Sequence, residues 1–135
     1  MDQNSTVVFV CEHGAAKSVI AAAYFNKLAR ERGLPQQAIA RGTNPDPVYS
    51  QNTVTGLLTD GLTPTEARPR RLSAEELRTS SMVIAFCNLS EDYRYENALA
   101  YWDDVPPVSE DYEQARDSIL AHLNRLINFY MEAET

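Results

Sequence analysis

The chain has 135 residues, 44% of them hydrophobic and 23% charged, the balance of one globular domain (residues 1–135) large enough to bury a core. Its 19 acidic and 12 basic residues give a formal net charge of −7, which argues against nucleic acid or an anionic membrane as a partner and obliges any anionic substrate to find a local positive pocket. No apolar run approaches the ~20 residues of a membrane span, Met1–Ser5 lacks the pattern of a signal peptide, and two cysteines make no disulfide framework, so a reducing, cytoplasmic setting is expected.

In chain order, Val7-Val8-Phe9-Val10 reads as a strand buried on both faces, with Cys11 where it stops. Apolar residues at Ile20, Ala21, Tyr24, Phe25, Leu28 and Ala29 follow at helical spacing, with Ser18 a plausible N-cap and Gly33 a stop signal. Ala38-Ile39-Ala40 is a short second strand, and residues 41–47 read as a loop. A helix is predicted over Asn52–Asp60 with Val54, Leu57 and Leu58 inward and Gly61 ending it. Arg68-Pro69-Arg70-Arg71 is a basic loop, read as a solvated face. Ser73-Ala74-Glu75-Glu76 matches a capping box for a short helix to about Arg78.

Met82 to Cys87 is a third strand, central in its sheet because its apolar run is continuous. Residues 88–97 are polar, with room for a helical turn. Ala98 to Trp102 is a fourth strand, and Asp103-Asp104-Val105-Pro106-Pro107 a loop stiffened by its prolines. The last helix starts at Ser109, a plausible N-cap, and turns Ile119, Leu120, Leu123, Leu126, Ile127 and Tyr130 to one face. Alternation of strand and helix predicts an α/β fold, a parallel sheet with helices on both faces. Ligands of such sheets sit at the carboxyl ends of the strands, where Cys11, Cys87, Asp103 and Asp104 all fall.

The strand–turn–helix at Cys11 is an anion-binding geometry: unpaired backbone N–H groups converge there and the helix dipole adds about half a positive charge. A cysteine so placed is favoured as its thiolate, the nucleophilic form. The candidate oxyanion loop is Glu12, His13, Gly14, Ala15, Ala16, Lys17 and Ser18, with Lys17 as an anion contact. His13 reads either as an electrostatic partner of the thiolate or as a loop histidine without a task. Cys87 reads as a resolving thiol or as a buried residue capping a central strand. Cys11, His13, Cys87 and His122 have the wrong spacing for zinc, so neither a metal nor a cofactor is assigned.

A strand ending in cysteine, five residues, a basic residue, a serine and a helix resembles the low-molecular-weight protein tyrosine phosphatase superfamily, including its thioredoxin-coupled arsenate reductase branch. The resemblance covers essentially the whole chain: Val7–Phe25, Arg41–Gly61, the third strand, and Trp102 with its acidic, proline-containing loop. Gly42-Thr43-Asn44-Pro45, Gly61-Leu62 and the cysteine closing Ile84-Ala85-Phe86-Cys87 look more like the reductases. The resemblance implies a four-stranded parallel sheet, Cys11 as nucleophile within residues 11–18, and a hydrogen bond from Ser18 to its thiolate.

The chain departs from that pattern at several positions. Lys17 stands where the family has arginine and loses the planar fork that grips two oxygens at once. The family's loop asparagine falls at Gly14, so the loop must be held by other bonds. Glu12 sets a carboxylate beside the nucleophile. Pro107 occupies the position of the family's general-acid aspartate, leaving Asp103 and Asp104 as candidate proton donors. The third cysteine of the thioredoxin-coupled reductases is Arg94 here. Three functions remain open. In the first, Cys11 attacks arsenate, and Cys87 or an external thiol (thioredoxin, glutaredoxin or a small thiol) completes the reduction. The second is a phosphotyrosine phosphatase with a phosphocysteine intermediate, and the third a non-catalytic module binding an oxyanion or a phosphoprotein.

Overall fold

The valine-rich segment that opens the chain lies at the middle of the molecule. The computed structural model describes residues 6–89 and 98–134. Strand β1 (Thr6–Cys11) is flanked by β2 (Gln37–Gly42) and β3 (Met82–Ala85), and β4 (Ala98–Tyr101) lies outside β3. All three pairings are parallel, in the order β2-β1-β3-β4, with Val10 opposite both Arg41 and Ala85. Val7, Val8, Phe9 and Val10 have no exposed surface, as a strand covered on both faces requires.

Helices α1 (Lys17–Glu31), α2 (Gln51–Thr59) and α4 (Tyr112–Glu134) cover one face and α3 (Ala74–Thr79) the other. Ala21, Ala22 and Ala23 bring α1 close to the sheet, so that Phe25 meets Phe9 with ring centroids 6.0 Å apart. Phe86 and Trp102 complete that aromatic layer at 6.4 and 5.7 Å from Phe9. Each such buried side chain contributes about 1.5–3 kcal/mol. Opposite, Val8, Val10, Val83 and Ala85 pack on Leu72 and Leu77 of the segment that α3 closes. The capping box at Ser73 and Glu76 is formed in full. No described helix is long and apolar enough to cross a membrane.

Several expectations are corrected. Strand β2 runs on to Gly42, taking in Arg41 and Gly42 from the expected loop, because both pair with β1. Strand β3 ends at Ala85 and β4 at Tyr101, so Phe86, Cys87 and Trp102 lie just past the strand ends. In α2, whose N-cap is Ser50, Leu58 is 68% exposed and Thr53 is buried instead. Ser109 does not cap α4; Asp111 does, its carboxylate accepting from the Gln114 N–H at 3.1 Å. Leu120 is half-buried, while Ile119, Leu123, Leu126, Ile127 and Tyr130 are buried as expected. Of the polar stretch 88–97, residues 90–97 lie outside the described residues.

Asp60, just past α2, ties three elements together. It accepts from the hydroxyls of Tyr24 (2.5 Å) and Tyr112 (3.0 Å), and Arg116 reaches it at 3.3 Å. Burial and the bond to this carboxylate push the Tyr24 hydroxyl up to about 12. Tyr112 lies directly over Gly56, where an added Cβ would sit 2.5 Å from the ring. Gly56→Ala is therefore expected to lower stability by about 1–3 kcal/mol, although alanine favours a helix by about 1 kcal/mol. The ring cannot swing aside without giving up its bond to Asp60. Urea unfolding checks the sign: a stabilised variant would show that the tyrosine yields freely.

Candidate active site

Cys11 ends β1, paired with Gly42 of β2 but past the last β3 pairing at Val10, and the chain returns as α1 six residues later. The turn between them is held from outside. The carbonyls of Cys11, Glu12, His13 and Ala15 accept from the N–H groups of Thr43 (3.2 Å), Asn44 (2.7 Å), Asp46 (3.0 Å) and Ser50 (3.0 Å). With its carbonyls turned toward residues 43–50, the loop leaves the N–H groups of residues 12–16 without an acceptor among the described residues. Successive free N–H groups beside a helix N-terminus make a nest for an anion. These four bonds take over the work of the missing loop asparagine.

The approach is close because both facing residues are glycines. Gly14 has φ +60°, and a Cβ on it would lie 2.9 Å from the Gly42 nitrogen. A Cβ on Gly42 would in turn lie 2.8 Å from the Gly14 nitrogen. Only residues lacking Cβ allow this contact. Gly42 is also bonded on its far side, its N–H to the Arg70 carbonyl at 2.9 Å and its carbonyl to the Leu72 N–H at 3.0 Å.

Ser18 is buried in the first turn of α1, and its hydroxyl lies 3.0 Å from Cys11 Sγ. It is not the N-cap: that position is Ala16, and no side chain caps the helix. Lys17 borders the site but does not stand free, because its Nζ donates to the Val105 carbonyl at 2.7 Å. The ammonium thus anchors the loop after β4 to the start of α1.

A cavity of about 390 Å³ opens over these groups. Cys11, Glu12, His13, Ala15, Ala16 and Lys17 form its floor, Asp46 and Ser50 one side, and Phe86, Cys87, Pro107, Val108 and Ser109 the other. The two cysteines therefore share one chamber. Burial first, then the negative charges of Cys11 and Glu12, pushes the Cys87 thiol up from its ordinary value. Gly14 and Ser18 lie beneath this surface, supporting it.

Asp103 and Asp104 share the strand-end edge with the cysteines, but neither lines this cavity. Asp104 is held at 2.8 Å by Nε2 of His122, whose ring stacks on Trp102 at 4.6 Å and whose Nδ1 meets Arg125 at 3.0 Å. The His122 bond holds the Asp104 carboxyl below the usual carboxylate range. Arg94 lies outside the described residues. The sequence marks none of Asp46, Ser50, Phe86, Val108 and Ser109 as a site residue; Asp46 and Ser50 fall in a polar segment whose partner, the loop after Cys11, is more than thirty positions away.

In the basic stretch 68–71, Arg70 pairs with Glu66 at 3.0 Å and Arg71 donates to the Thr43 carbonyl at 2.8 Å. Arg41, by contrast, is buried at the end of β2 between Glu66 and Glu76, the latter 2.8 Å away.

Enzymes that attack tetrahedral oxyanions through a cysteine are built this way, with the thiol at the end of a parallel strand and a nest of N–H groups around the reacting oxygens. This chain belongs to one family of them, the low molecular weight phosphotyrosine protein phosphatase family, which it matches over residues 6–126. Among solved structures it is similar to YfkJ from Bacillus subtilis, with a TM-score of 0.84, 18% identity, and 98% of each chain covered. It is also similar to an arsenate reductase from Archaeoglobus fulgidus, with a TM-score of 0.75, 20% identity, and 90% of this chain and 98% of that one covered. A low molecular weight protein tyrosine phosphatase from T. tengcongensis gives a TM-score of 0.72 at 19% identity, covering 93% of this chain and 99% of the other. At these identities the structures share a fold. No curated protein sequence gives a match.

Proposed function

We propose that this enzyme is an arsenate reductase in which Cys11 and Cys87 form the redox pair. One observation carries the reading: both thiols open into the same chamber over the anion nest. The Cys11 thiolate, with Ser18 beside it, displaces one oxygen of arsenate, which leaves as water after taking up a proton. Free N–H groups of residues 12–16 hold the remaining oxygens. Cys87 then loses its proton to solvent and attacks Sγ of Cys11. The sulfur–arsenic bond breaks with its electron pair on arsenic, so arsenic(V) leaves as arsenite while the two thiols become a disulfide. An external thiol (thioredoxin, glutaredoxin or a small thiol) restores the pair. The raised Cys87 thiol remains protonated until the adduct forms, so it does not compete for the oxyanion.

The test is a single turnover without added reductant. Wild type should release one arsenite and lose two thiols per chain. Cys87→Ser should stop at the adduct, releasing arsenite only when a small thiol is added. Cys11→Ser should consume none, and arsenite release by that variant would refute the reading.

The family match favours a second reading, hydrolysis of phosphotyrosine through a phosphocysteine on Cys11. It needs no Cys87. Aryl phosphate turnover that survives Cys87→Ser, with no arsenate-dependent thiol loss in wild type, would establish it instead.

A further inference from the structure

In either reaction the oxygen displaced by Cys11 must receive a proton, and the loop that faces the cavity supplies no acid. Its contributions there are Pro107, Val108 and Ser109, while Asp104 is tied to His122 outside the cavity. We propose that His13, oriented by Asp46, is the proton donor of this site. The inference rests on the reading that Cys11 attacks an oxyanion, and adds to it a catalytic residue.

His13 and Asp46 both line the cavity, with 54% and 48% of their side chains exposed. Asp46 Oδ1 lies 3.2 Å from His13 Nδ1. The same two residues are joined by their backbones, since the Asp46 N–H donates to the His13 carbonyl at 3.0 Å. The two backbones are therefore held side by side at the nest, which keeps the Asp46 carboxylate within reach of the ring. A carboxylate accepting from Nδ1 orients the ring and leaves Nε2 as the nitrogen that passes the proton. Among the described residues, the remaining titratable groups around this chamber are Cys11, Glu12, Lys17 and Cys87. Glu12 Oε2 stands 3.7 Å from His13 Nε2, beyond hydrogen-bond distance. Lys17 is held by Val105.

The step balances simply. As the sulfur–arsenic bond forms and the arsenic–oxygen bond breaks, the imidazolium Nε2–H passes to the departing oxygen, which leaves as water. His13 is left neutral and regains its proton from solvent. With a phosphate ester the same proton goes to the departing alcohol or phenol.

The experiment follows the rate of arsenate-driven disulfide formation in single turnovers of the full chain. His13→Ala should slow it by about 10²–10⁴-fold. Added imidazole should restore part of the rate in this variant but not in wild type, and less as pH rises and imidazolium is lost. His13→Asn guards against a folding defect and should be equally slow. Asp46→Asn should slow the reaction less than His13→Ala and gain nothing from imidazole, because the ring is still present but no longer oriented. A merely structural role would slow the variants without imidazole rescue of His13→Ala; this result, or His13→Ala within about threefold of wild type, overturns the proposal. If wild type leaves arsenate untouched but hydrolyses aryl phosphates, the arsenate reading fails alone. The same rescue is then read with phenyl phosphate, where a poor leaving group needs the acid most. Wild type inert to both substrates overturns the Cys11 reading and this assignment together.

Discussion

Gly42→Ala should cost the enzyme about a hundredfold or more in turnover while leaving every chemical group of the site in place. An alanine Cβ there would lie 2.8 Å from the Gly14 nitrogen, 2.9 Å from the His13 carbonyl carbon and 3.0 Å from the Gly14 Cα. All three are backbone atoms, so no side chain can rotate to relieve the contact. The end of β2 cannot retreat either, because Gly42 is bonded on its far side to Arg70 and Leu72. The nest must yield instead, which lengthens the bonds from Thr43, Asn44 and Asp46 that keep its carbonyls turned out. A misplacement of about 1 Å at a reacting centre can cost ~10²-fold, and overpacking of this kind costs about 1–3 kcal/mol in stability. Turnover and urea unfolding of the same variant separate the two effects. Wild-type turnover would show that the glycine pair does not shape the loop.

Arg41→Ala should have the largest effect on stability, about 3–5 kcal/mol. The guanidinium is buried between Glu66 and Glu76 and also donates to the Ala40 carbonyl at 2.8 Å. Removing it leaves Glu76 without its cation and Glu66 with only the exposed Arg70. Burial draws the Glu76 carboxyl upward, but the Arg41 hydrogen bond, a backbone N–H from Ser73 and the attraction of Arg41 outweigh it and hold the group below its usual value. A carboxyl lowered in the folded state adds stability above its unfolded pKa, and that stability is lost as pH falls through the lower folded value. Wild type should therefore lose urea resistance as pH drops below about 4.5, the ordinary value for glutamate. In Arg41→Ala this part of the pH slope should disappear. An unchanged slope would mean that Glu76 takes its stability from Ser73 rather than from Arg41.

Local patterns carried most of the fold. Continuous apolar runs marked β1 and β3 as interior strands, and the capping box located α3 within a residue, because these signals involve neighbours in sequence. The site was legible where one segment holds its geometry, from Cys11 to Ser18. Features set by distant partners were not. Ser18 reads equally well as a helix cap until its hydroxyl is seen 3.0 Å from Cys11. Arg41 reads as a loop cation because Glu66 and Glu76 come 25 and 35 residues later. Asp104 looked like a free acid because His122, which holds it, belongs to a helix that pattern alone cannot orient over Trp102. Leu58 was misassigned for a related reason: α2 meets the rest of the molecule along the side of Thr53 and Leu57.

The bond from Lys17 to Val105 bears on how a ligand arrives. A chain of net charge −7 repels every anion at long range, and the nearest ammonium is already committed to a carbonyl of its own backbone. The overall field therefore opposes the approach of an anion, most strongly for the most highly charged. Discrimination falls to the last few ångströms, where oxygens either meet the N–H groups of residues 12–16 or do not. Such a pocket selects by shape and by the reactivity of the central atom rather than by charge.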